Sequence, residues 1–340
     1  MPPVLTRILS TLWAPGDPSW RDVTVLDRRT MPRARFVARL VRLAPRYDVT
    51  VVNGAARFHD LYQDLVAAAV LARRRRPPPI VVAETAWDLG SAPLSERLGI
   101  KGFRLRSVAR LGVRALDGPH VTYCVLSEQE REMFSSAFGI PGERIACTPF
   151  GHMLWSRADG PTSDGGYLFA GGDSLRDYDT LLAAVNGLDV PVRLVTNRRF
   201  ERLPENVTAG PAPYEQYVEL LAGARLVVVP LRTIRRSAGL ITYLNAMALG
   251  KPVIVSDTPA VREYVDSGRT GLVVPPEDAA ALRDAIRWVA DPANGTEVAS
   301  IGRRARAAVR HPTAYWRSLR EVAEGAARRG RTGAHPHVPA

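Results

Sequence analysis

Short apolar runs alternate with amphipathic segments along the first half of the chain. The runs are rich in β-branched residues, are bounded by turn residues and predict buried strands over 22–26, 47–52, 79–84, 120–126 and 144–149. Between them, 33–44 and 57–74 place apolar residues three and four positions apart, which predicts helices. Another helix is predicted after Ser127, because Glu130 three residues later completes a capping box. Strands that alternate with helices indicate a doubly wound α/β fold with parallel sheets.

The alternation breaks once and then starts again. Residues 151–166 are rich in Gly, Ser, Pro and Asp, have no apolar period and predict a linker. Strands and helices follow again up to a helix that begins after Asp278. A last amphipathic stretch over 313–329 places Trp316 and Leu319 on one face. Two Rossmann-like domains in tandem are therefore predicted.

The chain carries a formal net charge of +12, nearly all of it from arginine. Such a surplus fits phosphorylated ligands or anionic lipid, and equally an arginine-rich genome. We expect no nucleic-acid partner, because there is no zinc-finger spacing, RNP-like aromatic run or KH-type loop. We expect no metal site either, since the histidines are scattered and Cys124 and Cys147 are not in CxxC spacing.

The sequence contains no signal for membrane insertion or secretion. Its apolar runs are shorter than the roughly 18 to 20 residues of a membrane-spanning helix, and its first residues do not form a secretory signal. We therefore expect a cytoplasmic protein. Arg106, Arg110 and Arg114 recur every four residues beside apolar positions. This pattern is typical of a helix on the inner face of an anionic membrane, and equally of a solvated helix face.

A turn of small residues opens the helix in "SAGLITYLNAMALG". It begins at Ser237 and follows a strand predicted over 225–230, at the carboxyl end where parallel sheets bind ligands. The first N–H groups of the helix, near Gly239, Leu240 and Ile241, favour an anion. A phosphate would fit there, although an ordinary strand-to-helix turn would have the same sequence.

A second turn of this kind lies in "YLFAGGDSLRDYD". Gly171 and Gly172 again follow a predicted strand, and the guanidinium of Arg176 can reach a phosphate bound against the neighbouring turn. Two anion sites in one domain indicate a pyrophosphate. Neither turn is a GxGxxG or Walker motif, which argues against a dehydrogenase or a kinase.

The second half of the chain resembles the donor-binding domain of the retaining GT-B glycosyltransferases of the group 1, family 4-like type. The most specific segments are "AMALGKPVIVSD" and "REYVDSGRTGLVVPPED", and the resemblance covers about two thirds of the chain. It implies the GT-B fold, with two Rossmann-like domains facing across a cleft. We expect an N-terminal acceptor-side domain, a C-terminal donor domain, a helix that crosses back and a disordered tail, over 1–155, 156–310, 311–328 and 329–340.

The resemblance implies transfer of a sugar from a nucleoside-diphosphate sugar, with retention and without a metal or other cofactor. The diphosphate would rest on the turn at Gly239 to Thr242, and Arg176 would neutralise the charge that builds on the departing phosphate. The expected donor-binding residues are Gly171, Gly172, Arg176, Asn197, Ser237, Gly239, Leu240, Ile241, Thr242 and Asn245.

The chain departs from the family pattern at important positions. Many members have two glutamates eight positions apart, where this chain has Ser237 and Asn245. Neither side chain can act as a nucleophile or a charged acceptor, although Asn245 can bond ribose hydroxyls and Ser237 can contact a sugar. Asp173 stands where the family often has a basic residue, which leaves Arg176 isolated. Three arginines ahead of the helix could compensate or could simply be a solvated charge cluster: Arg232, Arg235 and Arg236.

Candidates on the acceptor side follow the strand over 79–84. Glu84 or Asp88 could take a proton from an acceptor hydroxyl, and Trp87 could stack on the acceptor; local capping and packing are the alternative for all three. His152 could face the cleft or serve as a buried hinge residue. The acceptor could be lipid-linked, a polysaccharide or a small natural product.

Two other functions remain open at this point. A catalytically silent GT-B-like scaffold would bind the nucleotide without turnover, and Ser237 and Asn245 favour it. A nucleotide-sugar epimerase of GT-B fold would change the donor with no acceptor present.

Overall fold

A computed structural model describes residues 5–14, 16–55, 63–85, 87, 111–234 and 236–332. The chain divides into two compact units. Met1–Pro149 and Thr313–Ala340 form the first, and Phe150–Pro312 forms the second. Four of the residues singled out from the sequence lie outside the described ranges: Asp88, Arg106, Arg110 and Arg235.

The first unit contains a six-stranded parallel sheet in the order β2-β1-β3-β4-β5-β6. Its strands are β1 Ile8–Ser10, β2 Thr24–Val25, β3 Val49–Asn53, β4 Ile80–Ala83, β5 Val121–Val125 and β6 Ile145–Cys147. The sequence analysis predicted all of them except β1.

Three helices of the first unit carry its core. They are α1 Arg33–Leu43, α2 Gln63–Ala72 and α3 Glu128–Phe138. Phe36 and Leu40 of α1 are fully buried in a cluster with the apolar side chains of the strands. The predicted capping box of α3 is confirmed, because Ser127 Oγ accepts a hydrogen bond from the Glu130 N–H at 3.0 Å. Glu130 Oε2 in turn accepts from the Leu126 N–H at 2.9 Å.

The second unit also has a six-stranded parallel sheet, in the order β12-β11-β10-β7-β8-β9. Its strands are β7 Leu168–Gly171, β8 Val192–Val195, β9 Val207–Gly210, β10 Leu226–Val229, β11 Val253–Ser256 and β12 Leu272–Val274. The order reverses between β7 and β10, as in dinucleotide-binding Rossmann folds. The sequence analysis missed β9, whose "VTAG" has too few apolar residues to be distinguished from a loop.

The helices of the second unit cover both faces of its sheet. They are α4 Tyr178–Val185, α5 Tyr214–Ala222, α6 Leu240–Ala248, α7 Val261–Tyr264, α8 Ala279–Ala290 and α9 Gly295–Ala308. Asp278 accepts from the Ala281 N–H at 2.9 Å, which confirms the predicted start of α8. Every residue of α6 is buried except Ile241, which is 48% exposed. The helix is therefore enclosed, and within it only the Ile241 side chain is open to solvent.

The last helix, α10 Pro312–Thr332, packs on the first unit. Trp316 lies 5.3 Å from Trp20 between ring centroids, and Leu319 is fully buried. Burial of a leucine side chain contributes roughly 1.5–3 kcal/mol to stability. Arg320 donates to both oxygens of Asp22, and these hydrogen bonds lower the pKa of the Asp22 carboxyl.

The end of α10 corrects the predicted start of the tail. Residues 329–332 are helical, although we expected the tail to begin at 329. Arg329 donates to Thr122 Oγ1 at 3.0 Å, and a Cβ at Gly330 would lie 2.5 Å from Pro79. These contacts with the first unit hold the last turn of the helix; residues 333–340 lie outside the described residues.

The predicted linker is part of the packed second unit. Within it, Leu154 and Ala158 are buried. The segment also runs against residues 310–312: the His152 N–H donates to Arg310 O at 3.0 Å, and a Cβ at Gly151 would lie 2.4 Å from that oxygen.

His152 is buried where this segment contacts residues 310–312. It is 5% exposed, its Nδ1 accepts from the Leu154 N–H at 3.3 Å, and its ring centroid lies 5.5 Å from that of His311. Burial, helped by the charge of His311, lowers the pKa of His152 to about 4. The imidazole is therefore neutral at pH 7.

Replacing the cap of α3 tests the capping box. Ser127→Ala removes a fully buried acceptor, so the free energy of unfolding should fall by about 1–2 kcal/mol. Chemical denaturation measures it. Ser136→Ala, on the exposed face of the same helix, is the matched control and should change stability by less than about 0.5 kcal/mol. Equal effects of the two variants would contradict the capping role.

The neutral His152 predicts a pH dependence of stability. Its folded pKa of about 4 lies below the ordinary 6.5. The contribution of the neutral His152 to the free energy of unfolding is therefore complete above pH 6.5 and is lost as the pH falls toward 4. Between pH 7.5 and pH 5 this amounts to about 2 kcal/mol. In His152→Asn, Oδ1 can replace the Nδ1 acceptor, and denaturation at the two pH values should show a loss smaller by that amount. An equal loss in both proteins would contradict the assignment.

Candidate functional site

Two turns lie side by side at the carboxyl edge of the second sheet. We call residues 171–177, after β7, the Gly-pair turn, and residues 231–239 without 235, between β10 and α6, the serine turn. The strands β7 and β10 are parallel neighbours, and the strand order reverses between them. Open α/β sheets bind ligands at this point, because the loops on either side diverge and leave a crevice.

The backbones of the two turns are joined directly. Arg176 and Leu231 form an isolated antiparallel bridge. The Asp177 N–H donates to Pro230 O at 3.0 Å, and the Arg232 N–H donates to Leu175 O at 3.2 Å. The two turns are therefore one hydrogen-bonded piece of backbone.

The side chain of Arg176 links the Gly-pair turn to the first turn of α6. It is 8% exposed and donates from Nε to Gly171 O at 3.0 Å, from Nη1 to Ser174 O at 2.9 Å and from Nη2 to Thr242 Oγ1 at 3.0 Å. A Cβ at Gly172 would lie 2.8 Å from Nη2, so this position needs a glycine, which also has φ = 100°. The structure thus brings the predicted Gly171, Gly172, Arg176 and Thr242 together.

Tyr217 completes this network, and the sequence analysis missed it. Its hydroxyl lies 3.0 Å from Thr242 Oγ1, and its ring packs edge-on against Phe169 at 5.1 Å between centroids. Burial raises the pKa of Tyr217, so the hydroxyl stays protonated. No local motif marks this residue, because it reaches the site from α5 as one of several apolar positions of an amphipathic helix.

The start of α6 supplies backbone donors. Gly239 has φ = 74°, and its carbonyl accepts from the Thr242 and Tyr243 N–H groups at 2.9 and 3.2 Å. Within the described chain, the N–H groups of Leu240 and Ile241 have no acceptor. The first N–H groups of a helix precede the intrahelical ladder and, with the helix dipole, attract an anion.

Asp173 places a fixed negative charge beside the Gly pair. Its carboxylate accepts from Thr196 Oγ1, from the Asn197 N–H at 2.9 Å and from Asn197 Nδ2 at 2.6 Å. Partial burial raises the pKa of Asp173. These hydrogen bonds and the charge of Arg176 lower it by more than burial raises it, so the net shift is downward. The carboxylate is therefore ionised at neutral pH and holds Asn197 at the end of β8.

Ser237 and Asn245, where the sequence resemblance led us to expect glutamates, are both buried. Ser237 is 3% exposed, and Asn245 has no exposed surface. Asn245 Oδ1 accepts from the Met153 N–H at 2.7 Å, while its Nδ2 has no partner among the described residues. The side-chain oxygen of Asn245 is thus occupied by a hydrogen bond within the fold. Only its amide nitrogen remains for the expected ribose contact.

The acceptor-side candidates lie in the first unit. Glu84 follows β4 with φ = 57° and accepts from the Tyr315 hydroxyl at 3.1 Å. Trp87 donates from Nε1 to Gly54 O and packs within 6.3 Å of Tyr123 and two phenylalanine rings. Trp87 is therefore a packing residue of the first core, which is the local role considered above rather than acceptor stacking.

The described part of the chain lacks two features, a metal-binding cluster and a membrane-spanning helix. In this part of the chain, no three His, Cys, Asp or Glu side chains come together as a group that could hold a metal ion. None of the described helices combines the length and the apolar character needed to cross a lipid bilayer.

Sequence comparisons match part of the chain to known glycosyltransferases. Residues 185–291 match the family model of the glycosyl transferases group 1. This segment lies within the second unit and contains the serine turn and α6. The chain is also 37% identical over 97 residues to the D-rhamnosyltransferase WbpZ of Pseudomonas aeruginosa, a stretch that covers 28% of this chain and 25% of the relative. The match thus spans about a quarter of that relative's length.

Solved structures resemble more than nine tenths of the chain. Anabaena Alr3699/HepE in complex with UDP and glucose has a TM-score of 0.68 at 16% identity and covers 94% of this chain and 99% of its own. Sucrose-phosphate synthase from Thermosynechococcus elongatus has a TM-score of 0.63 at 19% identity, with 92% and 82% covered. At these identities the similarity is one of fold. The chain has the GT-B fold, with two Rossmann-like α/β domains.

Proposed function

We propose that the protein is a glycosyltransferase that moves a sugar from a nucleoside-diphosphate sugar to an acceptor hydroxyl. The observation that supports this most is the pair of turns at the switch point of the second sheet, joined by Arg176 and open at the start of α6. Part of this site lies in the segment that matches the glycosyl transferases group 1. The bound UDP and glucose of the Anabaena protein favour uridine as the first base to test here.

The proposed chemistry depends on stabilising the leaving diphosphate. The bond from the anomeric carbon to the β-phosphate oxygen breaks, and the acceptor oxygen forms the new bond to that carbon. Negative charge builds on the departing oxygen. Preformed N–H groups at Leu240 and Ile241 and the charge of Arg176 lower the barrier, because they need no reorganisation as the charge develops.

Stereochemistry and proton transfer are finer parts of the proposal. Because Ser237 and Asn245 carry no carboxylate, retention would proceed without a nucleophile from either position. We propose Glu84 as the group that takes the acceptor proton, since it ends a strand at the carboxyl edge of the first sheet and the Tyr315 hydroxyl fixes its orientation. The proposed setting is the cytoplasm or the inner face of its membrane, without a metal.

A silent scaffold is the second candidate function. The hydrogen bond between Asn245 Oδ1 and Met153 favours it, because the oxygen at this family position serves the fold. Release of nucleoside diphosphate from the donor, measured with and without lipid and polysaccharide extracts, separates the candidates. A transferase releases it only with an acceptor, a scaffold never does, and an epimerase changes the sugar with no acceptor.

Ile241 offers a test of the donor site that leaves the core intact. Its side chain is 48% exposed at the start of α6. Ile241→Glu should weaken binding of UDP or UDP-glucose on the order of tenfold by charge repulsion, while Ile241→Lys should preserve it. A glutamate near a helix start stabilises the helix, so the melting temperature without ligand should not fall. Thermal shift and calorimetry with uridine, guanosine and adenosine diphosphates measure the response.

Two results would contradict the donor site. One is the absence of any melting-temperature shift with every nucleoside diphosphate and sugar nucleotide tested, since a ligand of the folded state raises that temperature by mass action. The other is equal binding by the Glu and Lys variants at position 241.

A further inference from the structure

We infer that the outer sides of α1 and α2 form a docking surface for an anionic lipid membrane. The surface consists of the exposed side chains of these two helices and of the four arginines that follow α2, and we call it the α1–α2 face. It deepens the membrane setting named in the proposed function. It does not depend on sugar transfer, and its test uses neither donor nor acceptor.

The helix α2 is apolar on its outer side as well as on its core side. Leu71 and the other apolar residues of the inner side are fully buried in the first core. On the outer side, Val66 and Val70 are 49% and 47% exposed, and no charged residue stands between Asp64 and Arg73. A helix that is apolar all round is normally enclosed. The outer side of α2 therefore lacks the polar face of a helix that lies permanently against water.

Four consecutive arginines follow this apolar side. Residues 73–76 are all exposed. Arg73 donates from Nε to Ala115 O at 3.2 Å, whereas the arginines at 74–76 form no ion pair with any residue that the structure describes. Leu111, one helical turn before Ala115, is 63% exposed. Long arginine stems can lie along an apolar surface while the charged heads stay among polar groups.

The neighbouring helix α1 adds positive charge to the same face. It packs directly against α2, so the exposed sides of the two helices adjoin. Its exposed residues include Arg35, Arg39 and Arg42. The only carboxylate in the two helices is that of Asp64, which is buried. Surfaces that stay in water usually interleave both signs of charge. A face of arginines and apolar groups instead complements a partner that is both anionic and apolar.

An anionic membrane fits this face better than a second copy of the chain. A lipid surface offers acyl chains to the valines and phosphate groups to the arginines at the same time. Two copies joined through this face would bring their arginines together, and each copy already carries a net charge of +12. The sequence analysis considered a membrane contact only at Arg106, Arg110 and Arg114, of which the first two lie outside the described residues.

Co-sedimentation with vesicles tests the α1–α2 face. The wild-type protein should bind vesicles of phosphatidylglycerol and phosphatidylcholine at least about tenfold more tightly than vesicles of phosphatidylcholine alone. Binding should fall as the salt rises from about 0.05 to 0.5 M, because ions screen the arginines. Val66→Gln with Val70→Gln should weaken binding about tenfold, since two apolar side chains no longer enter the interface. Glutamine at all three positions 74–76 should weaken it on the order of 100-fold.

A matched control removes the same charge from another surface. Arg202→Gln, Arg287→Gln and Arg303→Gln together replace three exposed arginines of the second unit. This control should bind anionic vesicles within about threefold of the wild type. The melting temperature of every variant should stay within about 2 °C of the wild type, because the replaced side chains lie at the surface.

Four results would overturn the inference. The first is no binding of the wild type to anionic vesicles at low salt, and the second is unchanged binding in the valine variant. The third is an equal loss in the control and in the variant at 74–76, which would assign the binding to net charge alone. The fourth is a dimer in sedimentation equilibrium that the valine variant loses, which would assign the face to a second copy.

UDP binding separates this inference from the proposed function. Each of these variants should bind UDP as tightly as the wild type, because none of the changes lies at the two turns of the second sheet. If vesicles bind and UDP does not, the donor site is wrong and the docking surface stands. If UDP binds and vesicles do not, the docking surface is wrong and the donor site stands.

Discussion

The site in the second unit depends on one buried guanidinium. Arg176 holds a carbonyl of the Gly-pair turn and the hydroxyl of Thr242 on α6 at the same time. Because these groups follow different strands, the bonds fix the distance between two loops that would otherwise move independently. The antiparallel bridge between Arg176 and Leu231 repeats this constraint in the backbone. A ligand at this edge therefore meets donors that are already ordered, and binding costs little conformational entropy.

This arrangement also accounts for the glycines and for the enclosure of α6. Gly172 has no Cβ because Arg176 passes beside it, and Gly239 has none because Val229 lies 2.7 Å from where it would stand. The apolar body of α6 anchors its first turn, where the unbonded N–H groups lie. A rigid helix start at a strand switch point can stabilise a leaving diphosphate electrostatically. The proposed chemistry relies on backbone donors and on Arg176, so it needs no carboxylate at Ser237 or Asn245.

Much of the architecture could be read from local patterns. The alternation of strands and helices, the capping box at Ser127, the Asp278 cap and the two small-residue turns all depend on residues within a few positions of each other. The strands β1 and β9 were missed, and the "VTAG" of β9 has too few apolar residues to be distinguished from a loop. The segment predicted as a linker from its Gly, Ser, Pro and Asp content is packed, with Leu154 and Ala158 buried.

The sequence by itself determined the fold class and the location of the candidate site, because hydrophobic period, caps and turn residues act over one or two turns of chain. Only the tertiary structure decided which groups share that site. Tyr217 reaches Thr242 from another helix, Asn245 serves Met153 from 92 positions away, and Trp87 packs into a core instead of facing a ligand. These roles depend on side-chain direction and burial, which arise when separate elements pack and leave no mark in the local sequence.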